Sequence, residues 1–112
     1  ELLHRALLNV FSNAADFTPQ GGTIAFYAAV KDRTAVFRVS DSGPGFSPKA
    51  LTNAAKEFYM DDESRSSNLH YGMGLYIASM VAKRHGGELI LTNADYLKGA
   101  EVTIKIPESM VC

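Results

Sequence analysis

The sequence predicts a two-layer α/β sandwich, in which helices pack on one face of a mixed, mostly antiparallel sheet. Two stretches carry apolar residues at helical spacing, one over Leu2–Phe17 and one from about Gly72 or Gly74 to His85. Two pairs of alternating apolar and polar segments occupy the remaining chain, one pair after each of these helices. The length of 112 residues, with 46% apolar and 21% charged content, suits one domain near the small end of the range in which a single core suffices.

In the first helix Leu3, Ala6, Leu7, Val10, Ala14 and Phe17 form the apolar stripe, and Thr18-Pro19-Gln20-Gly21-Gly22 stops it. Ile24, Phe26, Ala28 and Val30 then alternate, Lys31-Asp32-Arg33 turns the chain, and Ala35, Phe37 and Val39 alternate again, predicting a hairpin with one greasy face. Ser42-Gly43-Pro44-Gly45-Phe46-Ser47-Pro48 is a loop by composition, followed by a short helix from Lys49 to about Phe58. The polar run Asp61 to Asn68 offers little to bury and is predicted to be a mobile loop. The second long helix presents Leu75, Ala78, Val81, Ala82 and His85 on one side and stops at Gly86-Gly87. Strands are predicted over Glu88 to Thr92 and Glu101 to Ile106, joined through Asn93 to Gly99.

Charge and cysteine content narrow the function classes. Eleven basic residues stand against 12 acidic ones for a formal net charge of -1, which leaves no electrostatic footprint for nucleic acid or an anionic membrane. Any bound anion must be held by local geometry. The single cysteine, Cys112, cannot form an internal disulfide, and no Cys/His spacing suggests zinc, so an intracellular setting is expected. No apolar run approaches the roughly 20 residues of a membrane span. The chain opens with Glu1-Leu2-Leu3-His4 and is read as a piece of a longer protein.

Three features stand out chemically. Asn9 and Asn13 lie four apart on one helical face, and Asn13 falls at the margin of the apolar stripe. An unpaired buried amide costs roughly 1 to 3 kcal/mol, so either a neighbouring loop or a ligand should satisfy it. Asp41 continues the inward phase of Ala35, Phe37 and Val39 while carrying a charge, and Ser42-Gly43-Pro44-Gly45 follows directly. Glycines there admit close approach of a flat ligand, although Asp41 could equally cap its own turn. Tyr71-Gly72-Met73-Gly74-Leu75 opens the second long helix, where free N–H groups suit phosphate, or serves as a plain hinge. It is neither a P-loop nor a dinucleotide fingerprint, because the GKS/GKT sequence and the preceding strand are both lacking.

In order, these features resemble the GHKL superfamily of ATP-binding proteins, which spans gyrase, heat-shock chaperones, mismatch-repair proteins and histidine kinases. NVFSNAADFTP (Asn9 to Pro19) is similar to the asparagine box of sensor kinases, DSGPG (Asp41 to Gly45) to the first glycine box, Lys56-Glu57-Phe58-Tyr59 to the aromatic box, and GMGLYIA (Gly72 to Ala78) to the second glycine box. The trailing MVAKRHGGEL (Met80 to Leu89) is similar to the sensor-kinase helix and its stop. The resemblance covers essentially the whole chain and implies a Bergerat-type ATP-binding fold over residues 1–112, without the dimerisation and phospho-acceptor region.

It also implies residue roles. Asn13 would ligate the Mg²⁺ that bridges the phosphates, Asn9 would contact the phosphate chain, and Asp41 would accept a hydrogen bond from the adenine amine. Gly43 and Gly45 would admit the base, while Gly72, Gly74 and Leu75 would offer main-chain contacts to the triphosphate. Asp16, Phe17, Phe46, Phe58, Tyr71 and Met73 complete the expected ATP-binding set, and Asp61 to Tyr71 would form a lid with Arg65 as its cation. The chain departs from the pattern at Asp16, often basic in the family, and at His70 and Tyr76, usually glycine. An acid about 4 Å from a phosphate would cost on the order of 4 kcal/mol at an effective dielectric of 20, and less when exposed.

Hydrolytic members carry a glutamate where this chain has Asn9, which cannot take a proton at neutral pH. The resemblance therefore implies the catalytic half of a two-component sensor histidine kinase. It would bind Mg-ATP and pass the γ-phosphoryl to a histidine on a separate dimerisation segment, with a response-regulator receiver domain downstream. His4, His70 and His85 do not resemble that acceptor. The parent kinase is expected to be a homodimer with this domain in the cytoplasm, and the parent is free to carry a membrane anchor elsewhere. Two other readings stay open on the same residues: a degenerate nucleotide-binding or protein-interaction module, and a serine kinase of the anti-sigma-factor type.

Overall fold

The computed structural model of the chain describes residues 2–53, 55 and 74–111. Along them run α1 (Leu2–Phe17), β1 (Ile24–Lys31), β2 (Thr34–Asp41), α2 (Pro48–Asn53), α3 (Gly74–Arg84), β3 (Glu88–Asn93), β4 (Ala100–Pro107) and a closing 3₁₀ turn over Glu108–Met110. The order is the predicted one. The short helix predicted to reach Phe58 is described as far as Asn53, and the aromatic segment and polar loop lie outside the described residues.

The strands form one sheet in the order β1-β2-β4-β3. Every pairing among them is antiparallel, so the predicted mixed character does not arise among the described strands. Phe37 stands opposite Ala28 on one side and Ile104 on the other, and Ile104 stands opposite Leu89. Because side chains alternate with period two, that register puts Ala28, Phe37, Val39, Val102, Ile104, Ile106, Leu89 and Leu91 on one face, and Asp41 with them.

The helices cover this face. Leu3, Ala6, Val10 and Ala14 of α1 and Leu75, Ala78, Val81 and Ala82 of α3 join Val39, Val102, Ile104 and Ile106 in a single core. Alanines at the helix contact allow close packing, and Leu75, Ile104, Ile106 and Val10 fill the centre. Burial of such side chains contributes roughly 1.5–3 kcal/mol apiece. Coverage stops short of the β1 edge, because α1 packs on β2 and α3 on β3 and β4. Phe26 and Val30 therefore stay 49% and 58% exposed although they share the core-facing side, and the Phe26 ring rests against Phe11 at 5.3 Å. Among the described residues no helix is long and apolar enough to cross a membrane.

Local chemistry sets the element ends. Gly86 takes φ 79°, its N–H donates to Lys83 O at 3.0 Å, and the Gly87 N–H reaches Ala82 O at 2.8 Å. These paired bonds are a Schellman stop, as the Gly-Gly after α3 predicts. The β1–β2 turn is less well matched. Asp32 and Arg33 hold φ 53° and 63°, which a two-residue hairpin of this twist demands and which Asn-Gly supplies more readily. Arg33→Gly is therefore expected to stabilise the chain by roughly 0.5–1 kcal/mol, after subtracting the greater freedom of glycine in the unfolded state. Thermal melts of the two proteins check this, and an unchanged or lower midpoint would contradict it.

Candidate functional site

The site is built around a carboxylate that the sheet carries inward. Asp41, the last residue of β2, is 2% exposed and lies on the core-facing side. A charge so placed is tolerable only where donors meet it. Two do: the Gly43 N–H donates to Asp41 Oδ1 at 2.9 Å and the Ala100 N–H to the same oxygen at 3.0 Å. Both donors fall on Oδ1, and no hydrogen bond joins Oδ2 to the described residues. The first donor comes from the turn after Asp41 itself, as the sequence allowed. The second comes from the start of β4, which pairs with β2.

Backbone approach around this carboxylate is close. A β-carbon at Gly99 would collide with Asp41 O and Oδ1, and one at Gly43 would collide with the Phe17 carbonyl. Gly45 holds φ 79°, where a side chain would be strained, and a β-carbon there would come within 2.9 Å of Asn93 Oδ1. The next residue, Phe46, is 5% exposed, and its ring belongs to the core. Asn93 grips its main chain, with the Phe46 N–H donating to Oδ1 at 2.7 Å and Nδ2 donating to Phe46 O at 3.1 Å.

The opposite wall is α1. Its buried stripe runs Leu3, Ala6, Val10, Asn13, Ala14, so Asn13, 8% exposed, occupies a core position rather than the wet side. No hydrogen bond joins its carboxamide to the described residues. Asn9, one turn earlier, is half-buried and touches the start of α3, where a β-carbon on Gly74 would lie 3.9 Å from Asn9 Cβ. That end of α3 carries N–H groups without partners inside the helix and the positive end of its dipole. The described residues offer a buried acceptor at the end of β2, a pair of carboxamides on one face of α1 and the N-terminus of α3 beside Asn9. That set suits a ligand with a donor-bearing ring at one end and anionic groups at the other.

The structure carries Asn9, Asn13 and Phe17 on α1 and Asp41, Gly43 and Gly45 at the end of β2 and in the turn after it, sets Gly43 against the Phe17 carbonyl, and sets Gly74 beside Asn9. Leu75 is 0% exposed and Phe46 5%, so both side chains belong to the core rather than to an open surface. Asp16 is exposed at the rim, which screens its charge from any neighbouring anion. Phe58, Arg65, Tyr71, Gly72 and Met73 lie outside the described residues. Sequence reading missed Asn93, Gly99 and Ala100. The available signal was the isolated glycine one residue before a strand, together with a strand that ends on asparagine.

Comparison with known proteins places the chain in a family. Residues 1–110 match the family described as histidine kinase-, DNA gyrase B-, and HSP90-like ATPase. The sensor histidine kinase SpaK of Bacillus subtilis is 50% identical over 96% of this chain. The chain spans only 23% of the length of that relative. Among solved structures, the mycobacterial sensor histidine kinase MprB superposes with a TM-score of 0.81 at 32% identity, covering 92% of this chain and 70% of that one. Full-length ShkA, solved in complex with AMPPNP, gives 0.77 at 29% identity over 95% of this chain and 21% of its own.

Proposed function

The chain belongs to the histidine kinase-, DNA gyrase B- and HSP90-like ATPase family, and we propose that it is the ATP-binding catalytic domain of a two-component sensor histidine kinase. The observation that carries this reading is the Asp41 carboxylate, which takes two main-chain donors on Oδ1 and, with no partner on Oδ2 among the described residues, has an oxygen to receive the exocyclic amine of adenine. The identity to SpaK and the likeness to MprB favour the sensor-kinase branch.

In this reading Asp41 selects the base, Gly43 and Gly45 let the loop main chain lie against it, and the phosphates extend along α1 toward the start of α3. Asn9 and Gly74 would meet the phosphate chain. Asn13 supplies a carboxamide oxygen from a buried position with no partner among the described residues, which fits a hard divalent cation. Mg²⁺, when bound there, neutralises the charge of the transferring phosphoryl group. Asn9 stands one turn before Asn13, where a carboxylate could deprotonate water, and a carboxamide cannot. An imidazole acceptor is already nucleophilic and needs only positioning, so the γ-phosphoryl passes to a histidine on the parent's dimerisation segment, and from there to a response-regulator receiver domain. The parent would act as a homodimer with this domain in the cytoplasm.

Calorimetric titration of the chain with a non-hydrolysable ATP analogue tests the reading. The unsubstituted chain is expected to bind, and Mg²⁺ to strengthen binding on the order of tenfold, about 1.4 kcal/mol. Asn13→Ala should remove that Mg²⁺ gain and leave the metal-free affinity within about twofold. No binding at millimolar nucleotide by a folded sample would sink the reading and leave an interaction module that has lost its ligand.

A further inference from the structure

We propose that Asn93 is a positioning residue for the base: its side-chain amide fixes the height of the 42–46 loop over Asp41 and thereby sets nucleotide affinity without touching nucleotide. The inference rests on the ATP-binding reading and adds a residue to it.

Asn93 ends β3 and stands directly across from Ala100, the first residue of β4. These neighbours hold the two ends of one short segment. The Ala100 N–H fixes the Asp41 carboxylate at 3.0 Å, and the Asn93 amide fixes both main-chain groups of Phe46, at 2.7 and 3.1 Å. The carboxamide acts as one more residue of an antiparallel partner, accepting from the N–H and donating to the C=O of the same residue. Between the anchored ends lie Ser42, Gly43, Pro44 and Gly45, the stretch that would form the base-binding wall. Ser42 is already tied to Thr23, its N–H donating to Thr23 O at 3.0 Å and its Oγ accepting from the Thr23 N–H at 2.8 Å. The part left for Asn93 to steady is Gly43 to Gly45, where two glycines add freedom on either side of Pro44. Gly45 runs so near Asn93 Oδ1 that the amide also sets how far the loop can sink.

Asn93 is itself exposed, so its removal opens no cavity in the core. The hairpin beyond it closes independently, through the Ala94 N–H to Gly99 O at 2.7 Å and the Lys98 N–H to Ala94 O at 3.1 Å. Phe46 stays anchored by its buried ring. Truncation should therefore loosen the loop main chain while the fold survives, a different outcome from Asp41→Ala or Gly99→Ala.

The test titrates the unsubstituted chain, Asn93→Ala and Asn93→Asp with the non-hydrolysable ATP analogue, with and without Mg²⁺, beside thermal melts without nucleotide. Asn93→Ala removes both hydrogen bonds to Phe46 and is expected to weaken binding about tenfold in both conditions, so that the Mg²⁺ gain is unchanged. Its melting midpoint should stay within a few degrees of the parent. Asn93→Asp keeps an acceptor for the Phe46 N–H but faces the Phe46 carbonyl with a second acceptor. It should weaken binding by a similar factor, and it carries the test if the alanine variant melts early. Parent-like affinity in either folded variant overturns the proposal, as does a loss confined to the Mg²⁺ condition, which would put Asn93 on the phosphate side. Failure of the unsubstituted chain to bind overturns the nucleotide reading and this inference together, whereas binding by all three proteins alike overturns this inference alone.

Discussion

Asp41→Asn is expected to weaken nucleotide binding by at least about 100-fold while the protein melts close to the parent temperature. The physical separation lies in the two oxygens. Asparagine retains an oxygen for the Gly43 and Ala100 N–H groups, which both point at Oδ1. In the place of Oδ2 it puts an NH₂ group, which would face the donor of the base. A hydrogen bond to a charged acceptor, worth roughly 1.5–3 kcal/mol, is replaced by two opposed donors. Asp41→Ala should lose binding and stability together, because both main-chain N–H groups are then left unpaired at about 1–3 kcal/mol each. Titration calorimetry and thermal melts on the pair decide the matter. If Asp41→Asn binds within about threefold of the parent, Asp41 is a structural cap for its turn, and the base lies elsewhere.

Gly99→Ala should be the most damaging methyl group that can be added near the site. Its β-carbon would collide with the Asp41 carbonyl and carboxylate, and would sit 2.6 Å from the Asp41 carbonyl carbon. The obstructing atoms belong to a strand paired on both sides, by β1 and by β4, so the main chain cannot yield cheaply. A cost of about 2–3 kcal/mol is expected, with the melting midpoint falling roughly 10–20 °C in a domain of this size. Nucleotide affinity should fall with it, since the same displacement moves the carboxylate. Gly74→Ala is the control. The nearest atoms to its β-carbon among the described residues lie 3.9 Å away, so its stability should change by less than about 0.5 kcal/mol. A Gly99→Ala protein that melts beside the parent would show that the hairpin after β3 moves freely past β2.

Element identity was largely legible in the sequence because it depends on spacing. The stripe from Leu3 to Phe17 fixes α1, the alternation at Val102, Ile104 and Ile106 fixes β4, and Gly86 fixes the end of α3. The inward phase of Asp41 could be read for the same reason, since a strand's period of two tells which side a residue takes. The uncovered β1 edge could not. Ile24, Phe26, Ala28 and Val30 read as a buried face, and their exposure follows from where two helices lie across four strands. That is a matter of packing between distant segments, to which local periodicity is blind.

By itself, then, the sequence determined the order and type of the elements, the family resemblance and the two inward polar residues, Asn13 and Asp41. Each rests on interactions within a few residues or on a pattern shared along the chain. Tertiary structure alone decided which oxygen of Asp41 is left for a ligand, because one of its two donors, Ala100 N–H, arrives from 59 residues away. It likewise decided that Gly99 must be glycine and that Asn93 holds Phe46, since both depend on β4 lying between β2 and β3. A carboxylate's place on a strand is a local property, whereas the donors that make it selective are supplied by whichever strand becomes its neighbour.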